Sequence, residues 1–176
     1  QGVSASNRVL TSEQNIGNPI WTPNSQAFVF TASPSGDTDN QTVYWTVPNE
    51  TPVSIATLAK ENYSVFASPI DNTTVLYLNP TKAYIMQVND NVPNDRTEQT
   101  VTIDNMPAAI YGMDLEVVRV GDETRAHIIW RSSATGPCIN YAHFLVGADA
   151  SSSYLGTECG PCFYAADDFS SYFIKG

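Results

Sequence analysis

The stretch Trp21-Thr22-Pro23-Asn24-Ser25-Gln26-Ala27-Phe28-Val29-Phe30, followed by Tyr44-Trp45-Thr46-Val47, decides the fold. It places a Pro/Asn/Ser turn before a short apolar run, and a second apolar run after that, which is typical of a hairpin. The same order returns in Ala67-Ser68-Pro69, Val75-Leu76-Tyr77 and Tyr84-Ile85-Met86-Gln87-Val88. The two prolines are 46 residues apart and the two tyrosines 40. A unit of about 40–45 residues is typical of a four-stranded propeller blade.

Outward from these two copies, the chain consists of short apolar runs separated by Pro, Asn, Asp and Gly. A third, degenerate copy uses Ile128-Ile129-Trp130 and Ile139-Asn140-Tyr141. Only Ser54–Lys60, with Ile55, Leu58 and Ala59, has the spacing of a helical turn or two. The sequence therefore predicts an all-β domain with little or no helix. The predicted strands are Ala27–Ala32, Thr42–Val47, Thr74–Leu78, Ala83–Val88, Gln99–Ile103, Leu115–Val120, Ala126–Arg131, Ile139–Val146 and Ser171–Ile174.

The segments Trp21–Phe30 and Ala67-Ser68-Pro69-Ile70-Asp71-Asn72 resemble WD40-like β-propeller repeats of the TolB type, and the resemblance covers about half of the chain. Those repeats run Trp-Ser-Pro-Asp-Gly, a short strand, and then a second strand with an Asp. This chain lacks both the Asp-Gly turn and the second-strand Asp. The resemblance implies propeller-like blades of antiparallel strands and a binding scaffold more than a reaction.

The domain organisation that we predict is a polar N-terminal arm at residues 1–18 and a single β domain at residues 19–176. Three blades do not close a propeller, because single-chain propellers typically need about four or more. Either the fold is instead a β-sandwich or jelly roll, or another copy of the chain completes the sheet arrangement. The N-terminal arm and the segment Phe163–Ile174 are candidates for pairing with an edge strand of a neighbouring copy.

Composition limits the partners. The net charge is −10, charged residues make up 15% of the chain, and the eight basic residues are scattered singly. Nucleic-acid binding needs clustered Lys and Arg, so we exclude it, together with binding to an anionic membrane surface. No stretch approaches the roughly 20 apolar residues that a membrane-spanning helix needs. We therefore expect no membrane insertion.

Three features favour an extracellular location. The chain opens with Gln1-Gly2-Val3, which is typical of a start left by signal cleavage, although a cloning boundary gives the same start. Four Asn-x-Ser/Thr sequons cluster within about 35 residues, at turns or strand edges where a glycan can stand in water. They predict N-glycosylation at Asn40, Asn49, Asn62 and Asn72.

The three cysteines, Cys138, Cys159 and Cys162, lie in the last third of the chain and are the third feature. Cys159-Gly160-Pro161-Cys162 matches the thioredoxin tetrapeptide, but only 14 residues follow it and Ser151–Glu158 is interpreted as a loop. We therefore predict one disulfide among the three cysteines, either from Cys138 to Cys159 or Cys162, or within the tetrapeptide. The remaining thiol is free or links to another subunit. Three cysteines without a fourth Cys or a His pair do not predict a zinc site.

No catalytic apparatus is recognisable. There is no Gly-x-Ser-x-Gly motif, and the two histidines, His127 and His143, have no matched nucleophile although they can approach across a hairpin. Asp114 with Glu116 and Asp167 with Asp168 are acidic pairs of the kind that glycoside hydrolysis needs, but 18 acidic residues produce such pairs by chance. Asp37-Thr38-Asp39-Asn40-Gln41 fails the EF-hand pattern. An irregular Ca²⁺ site there or at Asn89-Asp90-Asn91 stays as the alternative to no cofactor.

The function that these observations favour is that of a non-enzymatic secreted glycoprotein, a structural subunit that self-associates into an extracellular filament or surface layer. The alternative is a carbohydrate-binding, lectin-like module, because aromatic faces can stack on sugar rings. A third reading is a fragment of a glycosidase or peptidase whose catalytic residues lie elsewhere. The expected partners are other copies of the chain and, in the alternative, glycans. The aromatic residues in question are Trp21, Tyr44, Trp45, Tyr63, Tyr77, Tyr84, Tyr111 and Trp130.

Overall fold

A computed structural model of the 176-residue chain describes residues 16–17, 19–33, 35–60, 65–88, 96–103, 110–132 and 139–160. Within these ranges it contains twelve β-strands and no helix. The all-β prediction is confirmed. The strands are β1 (Ile20–Trp21), β2 (Phe28–Ala32), β3 (Asn40–Thr46), β4 (Val53–Ala59), β5 (Phe66–Pro69), β6 (Thr74–Leu78), β7 (Ala83–Val88), β8 (Arg96–Val101), β9 (Ile110–Val120), β10 (Glu123–Ser132), β11 (Ile139–Gly147) and β12 (Ser152–Gly160).

The strands form three four-stranded antiparallel sheets, each built from consecutive strands: sheet I (β1–β4), sheet II (β5–β8) and sheet III (β9–β12). The repeat of the sequence corresponds to one sheet, since β2 begins at Phe28 and β6 begins at Thr74, 46 residues later. The first strands of the sheets lie close together, because β5 contacts both β1 and β9.

Sheet II is packed between the other two sheets because its strands are apolar on both faces. Val75, Tyr77, Met86 and Val88 pack against sheet I in a cluster with Val29, Val43 and Trp45. The alternate residues of the same strands pack against sheet III in a second cluster. All five residues of β6 are buried, as the continuous apolar run predicts for a strand that is covered on both sides. The residues of the second cluster are Ile70, Leu76, Leu78, Ala83, Ile85, Val101, Ala126, Ile128, Trp130, Ala142, Phe144 and Val146.

The other face of sheet I carries a third, aromatic cluster of Phe28, Phe30 and Ala32, against which Tyr44 packs. Phe30 and Tyr44 stack with ring centroids 5.1 Å apart, and Trp21 contacts Phe28 at 4.8 Å. All five residues of β2 are therefore buried, on both faces of the strand.

Side-chain hydrogen bonds close the turns between strands. Asp37, Asp71 and Asp149 each accept the backbone N–H of the residue two positions later through Oδ1, at 2.8–3.0 Å. Asn24 and Asn79 do the same in two other turns. These are Asx turns, in which the side chain replaces a backbone acceptor and tightens the connection. The Asp and Asn residues that punctuate the sequence thus determine where the strands end.

Two sequence predictions of local structure are wrong. Ser54–Lys60 was predicted to hold a helical turn, but Val53–Ala59 is the outer strand of sheet I, where Ile55, at a register shift, and Leu58, beyond it, both face the core. Ser151–Glu158 was predicted to be a loop, but Ser152–Gly160 forms β12, which pairs along β11. The predicted strand Ser171–Ile174 lies outside the described residues, as do residues 1–15 and 18 of the predicted arm at residues 1–18.

We expect Trp130→Ala to lower the free energy of unfolding by about 3–5 kcal/mol, because the indole is fully buried between sheets II and III. Urea denaturation followed by far-UV circular dichroism measures the change. Leu155→Ala is the control, since Leu155 is 44% exposed on β12, and it should cost less than about 1 kcal/mol. Equal losses in the two variants would contradict the packing described above.

Candidate functional site

The two histidines meet on the face of sheet III that points away from sheet II. His127 on β10 is paired with Leu145 on β11, and His143 is paired with Ile129, so the two rings are diagonal neighbours. Their Nε2 and Nδ1 atoms are 3.1 Å apart and the rings stack with centroids at 5.3 Å. Both side chains are buried, at 3% and 7% exposure. The hairpin thus brings together the only two histidines of the sequence.

This environment keeps His127 uncharged near neutral pH. Burial, and to a smaller extent the charge of His143, lowers the pKa of His127 from 6.5 to about 4. Two such imidazoles can share a proton or offer two nitrogen ligands to a metal ion. Within the described ranges, however, there is no group of three or more His, Cys, Asp or Glu side chains placed to hold a metal. The pair by itself defines neither a catalytic triad nor a metal centre.

The acidic pair Asp114 and Glu116 lies on β9, where Glu116 is paired with His127 and Asp114 with Ile129. The register therefore places Glu116 on the strand face that the histidines share. Glu116 is exposed, and the structure gives Asp114 a strand position only. Asp167 and Asp168 lie outside the described residues.

The segment that suggested a Ca²⁺ loop is a hydrogen-bonded turn. Asp37 Oδ1 accepts the N–H groups of Asp39 and Asn40, and Oδ2 accepts from Asn40 Nδ2 at 2.9 Å. The Asn40 side chain contributes most to lowering the pKa of the Asp37 carboxyl below its usual value. The carboxylate therefore closes the β2–β3 connection. The other candidate, Asn89–Asn91, is not among the described residues.

The sequons differ in how the fold places them. Asn40 is half-buried and its Nδ2, the atom that carries an N-glycan, donates to Asp37. Asn49 is exposed in the β3–β4 turn with a positive φ of 70°. Asn72 is exposed in the β5–β6 turn, and its Oδ1 accepts from the N–H of Asn24 at 2.9 Å. Asn62 lies outside the described part of the chain.

Of the cysteines, only Cys159 is within the described residues, on β12 opposite Asn140. It is on a strand and not at the helix N-terminus that lowers the pKa of a redox-active thiol. Cys138 and Cys162 lie outside the described residues, so the disulfide stays a prediction.

Described residues line two cavities between the sheets. The first-strand cavity, of about 650 Å³, opens where the first strands of the three sheets meet. Its apolar lining includes Ile16, Ile20, Phe66 and Leu115, and Lys60 brings one positive charge. A second one, the wedge cavity, of about 340 Å³, lies between β4 and sheet II and is lined by Tyr77, Lys82, Tyr84 and Glu98. The sequence singled out the two tyrosines but not Lys82 or Glu98, because only the β6–β7–β8 pairing brings them together.

Comparison of the chain with protein-family models, with curated proteins and with solved structures finds no match. In the described ranges no helix is long and apolar enough to cross a membrane.

The His127 environment predicts a loss of stability in mild acid. Unfolded His127 takes up a proton as the pH falls below about 6.5, whereas folded His127 does so only near 4. The contribution of neutral His127 to the free energy of unfolding is therefore complete above pH 6.5. It falls by up to about 3 kcal/mol as the pH is lowered from 6.5 to 4.

Urea denaturation across this pH range, for the native sequence and for His127→Gln, measures the contribution of His127 as the difference between the two pH profiles. The variant should lose less stability in acid. Parallel profiles would contradict the assignment.

Proposed function

We propose that the chain is a non-enzymatic secreted glycoprotein whose three sheets form a propeller-like array, and that it self-associates into an extracellular filament or surface layer. The observation that carries the proposal is an apolar patch beside the first strands. This first-strand patch consists of Ile16 and Ile20, which are 54% and 41% exposed and line the first-strand cavity, and of Trp21, which is 49% exposed on the opposite face of β1. Several large apolar residues exposed at one edge of a sheet are typical of an interaction surface.

The sheet order supports a propeller-like arrangement. Each sheet is a meander of four consecutive strands, sheet II packs against sheets I and III with opposite faces, and β5 contacts β2 and β9. In a propeller the first strands of the blades surround a central channel. Three blades enclose that channel only in part. A second copy of the chain is the occupant that we propose for the first-strand patch, because it brings the same apolar strands to the open side.

Two of the outer edge strands are poor sites for the addition of another strand. β4 has a register shift against β3 near Ile55, and β12 has one against β11 near Leu155. Bulges of this kind twist an edge strand and discourage pairing with another chain. This favours contact through the first-strand patch over strand addition at β4 or β12.

The net charge of −10 opposes association of identical copies at long range. The first-strand patch itself contains no charged residue, so contact there has to be driven by apolar burial. Added salt screens the repulsion between copies while leaving the apolar contact intact. Self-association should therefore become stronger between low and physiological ionic strength.

Sedimentation velocity across a concentration series tests the proposal. We expect concentration-dependent growth in mass for the native sequence, and its loss in Ile20→Glu, which places a carboxylate in the first-strand patch. Leu155→Glu is the matched control, because Leu155 has almost the same exposure but lies on β12. A native protein that stays monomeric at all concentrations, or equal effects of both variants, would refute the proposal.

The glycoprotein part of the proposal predicts where glycans stand in the folded, secreted protein. We expect Asn49, Asn72 or both to carry a glycan, because both are exposed in turns. Asn40 should carry none, because it is half-buried and its Nδ2 is already held against Asp37 in the turn.

Peptide mapping by mass spectrometry, before and after N-glycosidase treatment of protein secreted from eukaryotic cells, identifies the occupied sites. Occupancy of Asn40 in correctly folded protein would contradict the turn assignment. Absence of glycan from all four sequons would contradict the glycoprotein proposal.

A further inference from the structure

The wedge cavity and the first-strand patch lie at opposite edges of sheet I. The patch adjoins β1, and the cavity adjoins β4. Its walls are β4 of sheet I and the face of sheet II that carries Tyr77, Tyr84 and Glu98. The Asn79 side chain donates Nδ2–H to the carbonyl of Ala59 at 3.0 Å and so joins the two sheets at one end of the cavity. Of the β4 residues in its lining, Ala56 and Leu58 face sheet II on the side of the two tyrosines, and a space of about 340 Å³ stays open between the sheets.

Tyr77 and Tyr84 form the aromatic wall of this cavity. They are paired across β6 and β7, with ring centroids 5.3 Å apart and planes inclined by 19°. Tyr77 is fully buried, whereas Tyr84 is only half-buried. The stacked partner holds the Tyr84 ring in one orientation, so a ligand meets an aromatic surface whose conformational entropy is already restricted.

Two opposite charges stand beside the aromatic wall. Tyr77 donates its hydroxyl to Glu98 Oε2, which orients the carboxylate and leaves Oε1 to accept from a ligand. Lys82, in the β6–β7 turn, lines the same cavity, and its ammonium group offers hydrogen-bond donors. Across the described ranges, Lys82 and Glu98 form no ion pair with each other. One strong acceptor and one strong donor therefore face the same space.

We propose that the wedge cavity binds a neutral carbohydrate, one sugar ring at a time. The C–H face of a sugar ring stacks on an aromatic side chain, and its hydroxyls both donate and accept. One hydroxyl donates to Glu98, and a neighbouring hydroxyl accepts from Lys82. The volume lies near the lower end of the 300–1,000 Å³ typical of small-molecule sites, which suits a ligand of this size.

The charges argue against other ligand classes. Lys82 repels an organic cation that the tyrosines and Glu98 would otherwise attract, and Glu98 repels an anion. A zwitterionic amino acid satisfies both charges, but both side chains are solvent-exposed, where ion pairs contribute little to affinity. A neutral sugar fits the cavity better than an amino acid, because its hydroxyls form hydrogen bonds with both charged groups while its ring stacks on the aromatic wall. The site does not depend on self-association, because none of its residues belongs to the first-strand patch.

Saturation-transfer difference NMR on the full chain, with N-glycans removed enzymatically, tests the inference. The probes are methyl β-D-glucopyranoside, methyl β-D-galactopyranoside, methyl α-D-mannopyranoside and N-acetylglucosamine, with alanine as the zwitterionic probe. We expect signals on the ring hydrogens of at least one sugar. Tyr84→Ala should abolish them, and Glu98→Gln, which keeps the shape but removes the charge, should weaken binding about tenfold.

Glu123→Gln is the matched control, because Glu123 is also an exposed strand carboxylate but pairs with Arg125 on sheet III. It should leave the sugar signals unchanged. If the NMR spectrum of Tyr84→Ala lacks the methyl resonances of the folded protein, that variant is unfolded. The sugar signals of Glu98→Gln are then the ones compared with those of the native protein. Absence of signal from every sugar, signals from alanine only, or equal signals in native protein and Glu98→Gln would overturn the inference.

Discussion

The burial of sheet II on both faces is the constraint on which the rest of the structure depends. Alternate residues of β6 and β7 point in opposite directions, so one face packs against Trp45 of sheet I and the other against Trp130 of sheet III. Without sheet II, the apolar faces of the outer sheets that now contact it would be exposed to water. Polar links reinforce the packing at the margins, as between Asn24 and Asn72 and between Ser152 and Thr102. Apolar burial supplies most of the energy and these bonds set the alignment.

The same constraint explains where the sites lie. Most side chains that face a neighbouring sheet are used in packing. The candidate sites therefore lie outside the two apolar clusters between the sheets. They lie at the first strands, beside the edge strand β4, and on the face of sheet III that points away from sheet II. His127 and His143 show the electrostatic consequence, because burial keeps His127 neutral. The wedge cavity shows the steric consequence, because the packing of the edge strand β4 against sheet II leaves a space beside Tyr84. Both follow from strand register and neither needs a sequence motif.

The sequence predicts the inner strands well and the edge strands poorly. β2, β6 and β7 are buried on both faces, so their apolar runs are continuous and stand out between Asx turns. Val53–Ala59 was misassigned because an edge strand with a register shift places Ile55 and Leu58 three residues apart, a spacing also found on one face of a helix. The approach of the two histidines follows from hairpin pairing. Glu98 and Lys82 were missed because only the pairing of β7 with β8 brings them together, and no local pattern encodes that pairing.

If sheet II holds the outer sheets, all three should unfold together. Trp45 reports on the contact of sheet I with sheet II, and Trp130 reports on the contact of sheet III with sheet II. In the single-tryptophan variants W21F/W130F and W21F/W45F, the fluorescence and far-UV circular dichroism transitions in urea should coincide within each variant. Adding Leu76→Ala, in the contact between sheets II and III, should lower both tryptophan midpoints by similar amounts. A Trp45 transition that keeps its midpoint while the Trp130 transition shifts would contradict the account.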